Sequence, residues 1–151
     1  MDATDRKILA RLQIDASLSH AELGELVNLS ASQVSRRVQR LEQDGIIRKQ
    51  VILLDEEAVG LQVEAYVSLS LASYNPGDIA RFHERMCSLE EVLECCATTG
   101  GEDYFLRVVS RDLRALARLI NEDLLGHGDV TNVRSSVVLE RIKRTTALPL
   151  P

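Results

Sequence analysis

Gln33, Arg36, Arg37 and Arg40 fall within eight residues of a segment whose apolar positions, Val34, Val38 and Leu41, recur at i, i+4 and i+7. On a helix turning ~100° per residue those three apolar side chains share one side. Gln33, Arg36 and Arg40 spread over the opposite side, with Arg37 flanking. Ser32 and Ser35 are small enough to allow close approach to a surface. Arg and Gln presented this way carry the donors that read DNA: Arg bonds guanine through two N–H groups, and Gln bonds adenine through one donor and one acceptor. Arg48 and Lys49 supply charge for flanking phosphates, and Ser19 and Ser30 offer hydroxyl and main-chain N–H groups to the backbone. The plain alternative is a solvated face in which the arginines pair with Glu42 or Asp44. The spacing, the caps and the basic pair at 48–49 together favour double-stranded DNA as the partner.

No other chemistry assembles in the chain. His20, His83 and His127 lie in three separate segments, and no nucleophile–base pair stands out, so the expectation is a protein that is not an enzyme. Cys87, Cys95 and Cys96 are odd in number and lack metal spacing, which implies free thiols and neither a metal nor a cofactor.

The composition sets bounds on the rest. Of 151 residues, 45% are hydrophobic and 27% charged, the balance of a folded domain or two small ones. Net charge is −5, unevenly spread. Residues 1–50 hold eight Lys/Arg against seven Asp/Glu, a net of +1, and residues 51–151 hold ten against sixteen, a net of −6. A nucleic-acid footprint needs one basic face rather than a basic protein. Aromatics are only 3% and Trp is absent, so the core rests on Leu, Val, Ile and Ala. A small core of this kind borrows surface from a second copy, which points to a homo-oligomer. No apolar run reaches the ~18–20 residues of a membrane span, and the chain opens on charged residues with no leader, so a cytoplasmic location is expected.

Residues 1–50 read as helices. Asp5–Leu12 carries an apolar stripe of Ile8, Leu9 and Leu12; Ser19 with Glu22 forms a capping box ahead of Leu23, Leu26 and Val27. Ser30 or Ser32 caps the arginine-bearing helix, and Gly45 ends it. Ile46–Leu54 is β-branched and strand-like, so the segment reads as a winged helix-turn-helix, with 51–61 as a hinge. From residue 62 the period changes. Val63 to Leu71 alternates apolar with polar, Ile79, Phe82 and Met86 make a helical stripe, and Val92–Thr98 and Tyr104–Val109 flank the turn at 99–103. Leu113, Leu116, Ile120 and Leu124 give a second helix, and Val133–Ile142 a last strand. The order is βαββαβ, a ferredoxin-like sandwich over 62–151, which makes the whole chain α+β. Leu148-Pro149-Leu150-Pro151 reads as an extended arm.

Two stretches carry a family resemblance. Ser19 to Ser30 followed by Val34 to Ile47 resembles the DNA-binding domain of the leucine-responsive regulator (Lrp/AsnC) family. Thr99-Gly100-Gly101-Glu102-Asp103-Tyr104-Phe105-Leu106 resembles that family's Gly-x-x-Asp-Tyr hairpin, and Val137-Val138-Leu139-Glu140 its final strand. The likeness runs from about Asp5 to Lys143. Ala16-Ser17 replaces a Gly-Arg that is frequent in the family, and Lys49-Gln50 stands where Gly-Tyr is usual, so one phosphate contact is lost and another gained. The resemblance implies a sequence-specific transcription regulator that pairs through its βαββαβ domain, assembles dimers into tetramers or octamers, and binds an amino acid between subunits.

Matched onto this chain, the family's effector positions are Thr98, Thr99, Gly100, Gly101, Asp103, Tyr104, Ser135 and Ser136. Main-chain N–H groups at Gly100 and Gly101 meet a carboxylate unhindered by Cβ atoms. Asp103 suits an ammonium, and the hydroxyls complete a polar ring closed by a neighbouring subunit. Two alternatives stay open. The hairpin glycines serve only the turn while Asp103 caps it, or the protein is a ligand-independent architectural DNA-binding protein of the same fold.

Overall fold

Each of the three N-terminal helices opens with a reciprocal capping box. Asp2 and Asp5 cap α1 (Ala3–Leu12), Ser19 and Glu22 cap α2 (His20–Val27), and Ser30 and Gln33 cap α3 (Ala31–Gln43). In each, the cap oxygen accepts the third residue's N–H while that residue's side chain accepts the cap's N–H, so two orphan donors are satisfied together. Helix α1 therefore starts two residues before the sequence pattern indicated. The computed structural model describes all residues, Met1–Pro151, and divides them into two units, Met1–Leu53 with Ile142–Pro151, and Leu54–Arg141. None of its helices is long and apolar enough to cross a membrane.

In the first unit Ile8, Leu23, Val27, Val34 and Val38 form the core, with Leu12, Leu18, Leu29 and Ile47 packed against it. Helices α2 and α3 are joined by a tight turn. Asn28 is left-handed at φ 57°, and the Leu29 N–H donates to the Gly24 carbonyl at 2.9 Å. A Cβ on Gly24 would lie 2.5 Å from the Leu29 carbonyl oxygen, so only glycine lets the chain fold back here. Gly45, at φ 71°, follows Asp44 at the end of α3 as the left-handed stop.

The expected wing does not form. Ile46–Leu54 contains no strand, and Val51, Ile52, Leu53 and Leu54 are exposed. An extended segment needs a partner edge for its N–H and C=O groups, and this chain places none beside it. The tail at 146–150, expected to go with the second domain, returns to the first. Gln13 holds Leu148 from both sides, its amide accepting the Leu148 N–H at 2.6 Å and donating to the Leu148 carbonyl at 3.2 Å. A groove of about 580 Å³ runs between α1, residues 46–53 and this tail.

The second unit follows the βαββαβ order: β1 (Val63–Leu71), α4 (Pro76–Ser88), β2 (Val92–Ala97), β3 (Tyr104–Ser110), α5 (Leu113–Arg118) and β4 (Val130–Val137). The sheet is antiparallel in the order β2-β3-β1-β4. Ala65, Val67, Leu69 and Leu71 on the central strand are buried, as alternation predicts, and pack with Phe82, Met86, Leu106 and Val108. Two details differ from expectation. Leu113 is exposed, because α5 passes at Leu119–Leu124 into a wider π-helical turn that puts Leu119 and Leu124, five apart, both in the core. Strand β4 begins at Val130 and its ladder ends at Val137, leaving Leu139 and Ile142 in solvent.

Gly24→Ala raises helix propensity yet is expected to destabilise the protein by ~1–3 kcal/mol, because the added methyl meets main-chain rather than movable side-chain atoms. Denaturant unfolding of the variant measures this. A midpoint equal to the parent's would mean the turn yields freely.

Candidate nucleic-acid interface and effector hairpin

Helix α3 is amphipathic because Val34, Val38 and Leu41 bury one side while Ser32, Gln33, Arg36 and Arg40 stay exposed. Arg36 forms no ion pair. Arg37 and Arg40 do, but with neither Glu42 nor Asp44. One terminal nitrogen of Arg37 (Nη1) donates to Asp2 and to Asp5, each at 2.7 Å. Arg40 Nη2 donates to the other oxygen of Asp5, also at 2.7 Å. Asp5 is fully buried (0% exposed), and its carboxylate also accepts the Asp2 N–H at 2.9 Å. Sequence reasoning missed both aspartates as partners of this helix. Nothing in their local spacing points to α3.

The Arg37 guanidinium beside Asp2 holds that carboxyl down at about 2, helped by the Asp5 N–H. Burial pushes Asp5 upward, but the Asp2 N–H and the two arginines outweigh it and leave Asp5 below the usual carboxylate value. Arg37 is raised in turn by the hydrogen bonds it donates to Asp2 and Asp5. Leu29, Gln33, Arg36, Arg37 and Arg40 together line a shallow depression of about 400 Å³ on the surface of the unit, with three guanidinium groups around it.

The polar residues at the start of α3 are less free than the sequence suggested. Gln33 Oε1 accepts from the Ser30 N–H at 2.9 Å and from the Ser30 hydroxyl at 3.1 Å. Reading adenine requires that oxygen together with the amide nitrogen, so Gln33 must leave the capping box to do it. The Ser19 hydroxyl and N–H are both committed to Glu22. Ser32 is exposed and its hydroxyl lies 3.1 Å from that of Ser30, while Ser35 is half-buried. Arg48 and Lys49 are exposed on the unpaired segment after α3.

In the second unit the hairpin between β2 and β3 is closed by its own groups. The Thr98 N–H donates to the Asp103 carbonyl at 2.9 Å, and the Thr98 hydroxyl to the Glu102 carbonyl at 3.1 Å. Asp103 accepts the Leu71 N–H at 2.8 Å and the Tyr74 hydroxyl at 3.1 Å on both oxygens. That bond raises the Tyr74 phenol above its ordinary value. Asp103 thus fastens the end of β1 to the hairpin and is not a free carboxylate waiting for an ammonium. Tyr104 points into the core, 8% exposed, with its hydroxyl 2.7 Å from His83 Nε2. Burial, then Cys95 and Asp103, push its phenol up. Of the expected set, Thr98, Thr99, Gly100, Gly101, Ser135 and Ser136 are exposed, and the first four share the hairpin. Gly100 sits at φ 136°, and a Cβ on either glycine would meet nothing within 4 Å, so the main chain there is open to approach.

Ser135 and Ser136 lie further along the sheet. They pair with Val67 and Tyr66, so they face opposite sides, and within one chain the strand cannot aim both at one ligand. The β4 residues beside the hairpin are instead Asn132 and Arg134. Glu102 accepts the Ser70 hydroxyl at 2.9 Å, lies 3.5 Å from the Asn132 amide, and stands 3.6 Å from Arg134. Ser70, Asn132 and Arg134 are predictable only once the register is known. Among the thiols, Cys95 is pushed up to about 11, chiefly by burial.

A three-helix unit with an amphipathic basic third helix, followed by a βαββαβ unit with a glycine hairpin, defines a regulator of the helix-turn-helix class. Comparison with known proteins makes this specific. Residues 1–42 match the AsnC-type helix-turn-helix domain, and residues 64–148 match the Lrp/AsnC ligand binding domain. The chain belongs to the Lrp/AsnC family. It is 38% identical to the DNA-binding transcriptional activator DecR of Escherichia coli over 99% of both chains. It is 33% identical to the transcriptional regulator AzlB of Bacillus subtilis over 99% of this chain and 96% of that one. A crystal structure of a Neisseria meningitidis transcriptional regulator in complex with L-methionine superposes with a TM-score of 0.95 at 38% identity, covering 99% and 96% of the two chains. The protein is therefore a transcriptional regulator with a DNA-binding and a ligand-binding domain, not an enzyme.

The two depressed aspartates give a pH dependence with a definite sign. A carboxylate lowered by folding contributes stability that is complete above its unfolded value near 4 and is lost as pH falls through the folded one. Thermal melts are expected to lose stability between about pH 4 and pH 2, and less steeply in Asp5→Asn than in the parent. Parallel pH profiles for the two proteins would show that the network contributes nothing.

Proposed function

We propose that α3 enters the major groove of double-stranded DNA and reads it through Arg36, Arg37 and Arg40. Ser30, Ser32 and Ser35 approach the backbone closely, Gln33 joins once its cap opens, and Arg48, Lys49 and Ser19 take flanking phosphates. The observation that carries this is the depression at the surface of α3, bordered by three guanidinium groups in a protein of net charge −5. A local cluster of that sign in an acidic chain is what a nucleic-acid footprint requires.

The working form is a homo-oligomer built of dimers, tetrameric or octameric, which offers paired α3 helices to a roughly two-fold site. Exposed Val51–Leu54 and the exposed edge strand β2 support it. The second unit binds an amino acid at the 98–101 hairpin, with the carboxylate on the N–H groups of Thr99, Gly100 and Gly101 and with walls supplied by a neighbouring subunit. The methionine in the Neisseria regulator supports this class of ligand. Binding shifts the assembly, and with it DNA affinity, by the ligand's differential affinity for the two states. The chain acts in the cytoplasm, where DNA and free amino acids both are.

The fully engaged Asp103 favours a second reading, a regulator that ignores amino acids. A thermal-shift screen of the purified protein against the twenty amino acids separates the two. A ligand at ~100 Kd stabilises by ~2.7 kcal/mol, and silence across the set would select the ligand-independent form. For the DNA site, Arg36→Ala is expected to weaken binding to a duplex selected from a random pool by ~1–3 kcal/mol, read by fluorescence anisotropy. Unchanged affinity and preference would remove α3 as the reader.

A further inference from the structure

Asp5 is a fully buried carboxylate on a different helix from the arginines it binds, and each of its oxygens takes one of them. Arg37 and Arg40 lie three apart on α3, so their stems leave the same side of the helix. Each guanidinium is held through one terminal nitrogen, and the side chains remain partly exposed, 28% for Arg37 and 51% for Arg40. Both residues line the same depression as the unpaired Arg36.

An unrestrained arginine side chain has many rotamers to lose when it binds, and ordering it beforehand removes that cost from the binding step. Fastening α1 to α3 does not require a buried charge, because Ile8, Val34 and Val38 already pack there. Taking a carboxylate out of water is expensive, and an ion pair in its place is weak evidence for stability. The arrangement is instead one in which a group behind the contacting residues fixes their planes.

We propose that Asp5, which itself touches no DNA, is the positioning residue for DNA reading, setting the guanidinium planes of Arg37 and Arg40 so that they and Arg36 meet the groove in one register. Asp2 has the lesser share, as the second carboxylate on Arg37. This rests on α3 being the reader, and it separates two properties of the arginines. Their charge gives general affinity for phosphates, while their orientation gives discrimination between sequences.

The test uses the full chain as parent, Asp5→Asn, Asp2→Asn and Arg36→Ala, each titrated by fluorescence anisotropy at several salt concentrations. The duplexes are the one the parent selects from a random pool and an unrelated one of equal length, and thermal melting reports the folded fraction. In Asp5→Asn the ratio of affinities for the two duplexes is expected to fall about tenfold or more. Its salt slope on the unrelated duplex should stay equal or become steeper, since no cation is lost. Asp2→Asn, which keeps a good helix cap, is expected to fall in the same direction by less. A purely structural role would lower the melting temperature and leave the ratio of the folded protein unchanged, and that result overturns the proposal. If Asp5→Asn does not fold, Asp2→Asn decides, a parental ratio overturning the proposal and a reduced one supporting it. A parent without preference, or an Arg36→Ala variant as selective as the parent, would remove the reading of α3 itself. Loss in Arg36→Ala with a parental ratio in folded Asp5→Asn removes only the role of Asp5.

Discussion

The N-terminal unit depends on one close approach, the Leu29 carbonyl lying where a side chain on Gly24 would begin. With Asn28 left-handed beside it, the chain reverses within a few residues and α3 starts at once on Ser30. The reversal brings Leu23 and Val27 of α2 onto Val34 and Val38 of α3, and a second face of α3 is left for solvent. The placement of the arginines on α3 depends on that geometry. A looser turn would keep the helices and lose the direction in which α3 presents its charge.

The electrostatics of α3 divide its arginines into two kinds. Arg36 is a free cation, while Arg37 and Arg40 share a carboxylate pair whose charges offset theirs. This accounts for how a chain so acidic keeps a basic surface in one place. Positive charge is not accumulated there but arranged, with its compensation placed behind it at the start of α1. The second unit follows a similar economy. Asp103 and Glu102 hold β1, β4 and the hairpin in register, and the stretch at 99–101 is left open between them.

Much of this was legible in the sequence because the signals were local. The Ser19 and Glu22 pair, the Ser30 cap, Gly45 and the alternation through Val63–Leu71 each act within a few residues of themselves, and each appears in the structure as its spacing indicated. What escaped was long-range or depended on a partner. The ion pairs from Asp5 reach across 32 and 35 residues, and nothing local marks them. The strand-like 46–54 has the right residues for pairing but no edge beside it in this chain, so composition alone promised a hairpin. At the effector positions the residue types were right for a ligand, but Ser135 and Ser136 alternate across the sheet and Asp103 is already occupied. Residue type says which bonds a group can make; only the register says which it has already made.

The return of the tail to α1 gives the first unit a discontinuous sequence, with Gln13 waiting for Leu148. Synthesis runs from the N-terminus, at roughly 5–20 residues per second. The three helices emerge before the second unit, yet the strip of chain that forms one wall of their groove emerges after it. On the ribosome, the helical unit is therefore begun before the ligand-binding unit and completed after it, and its apolar groove lacks one wall while that unit is made.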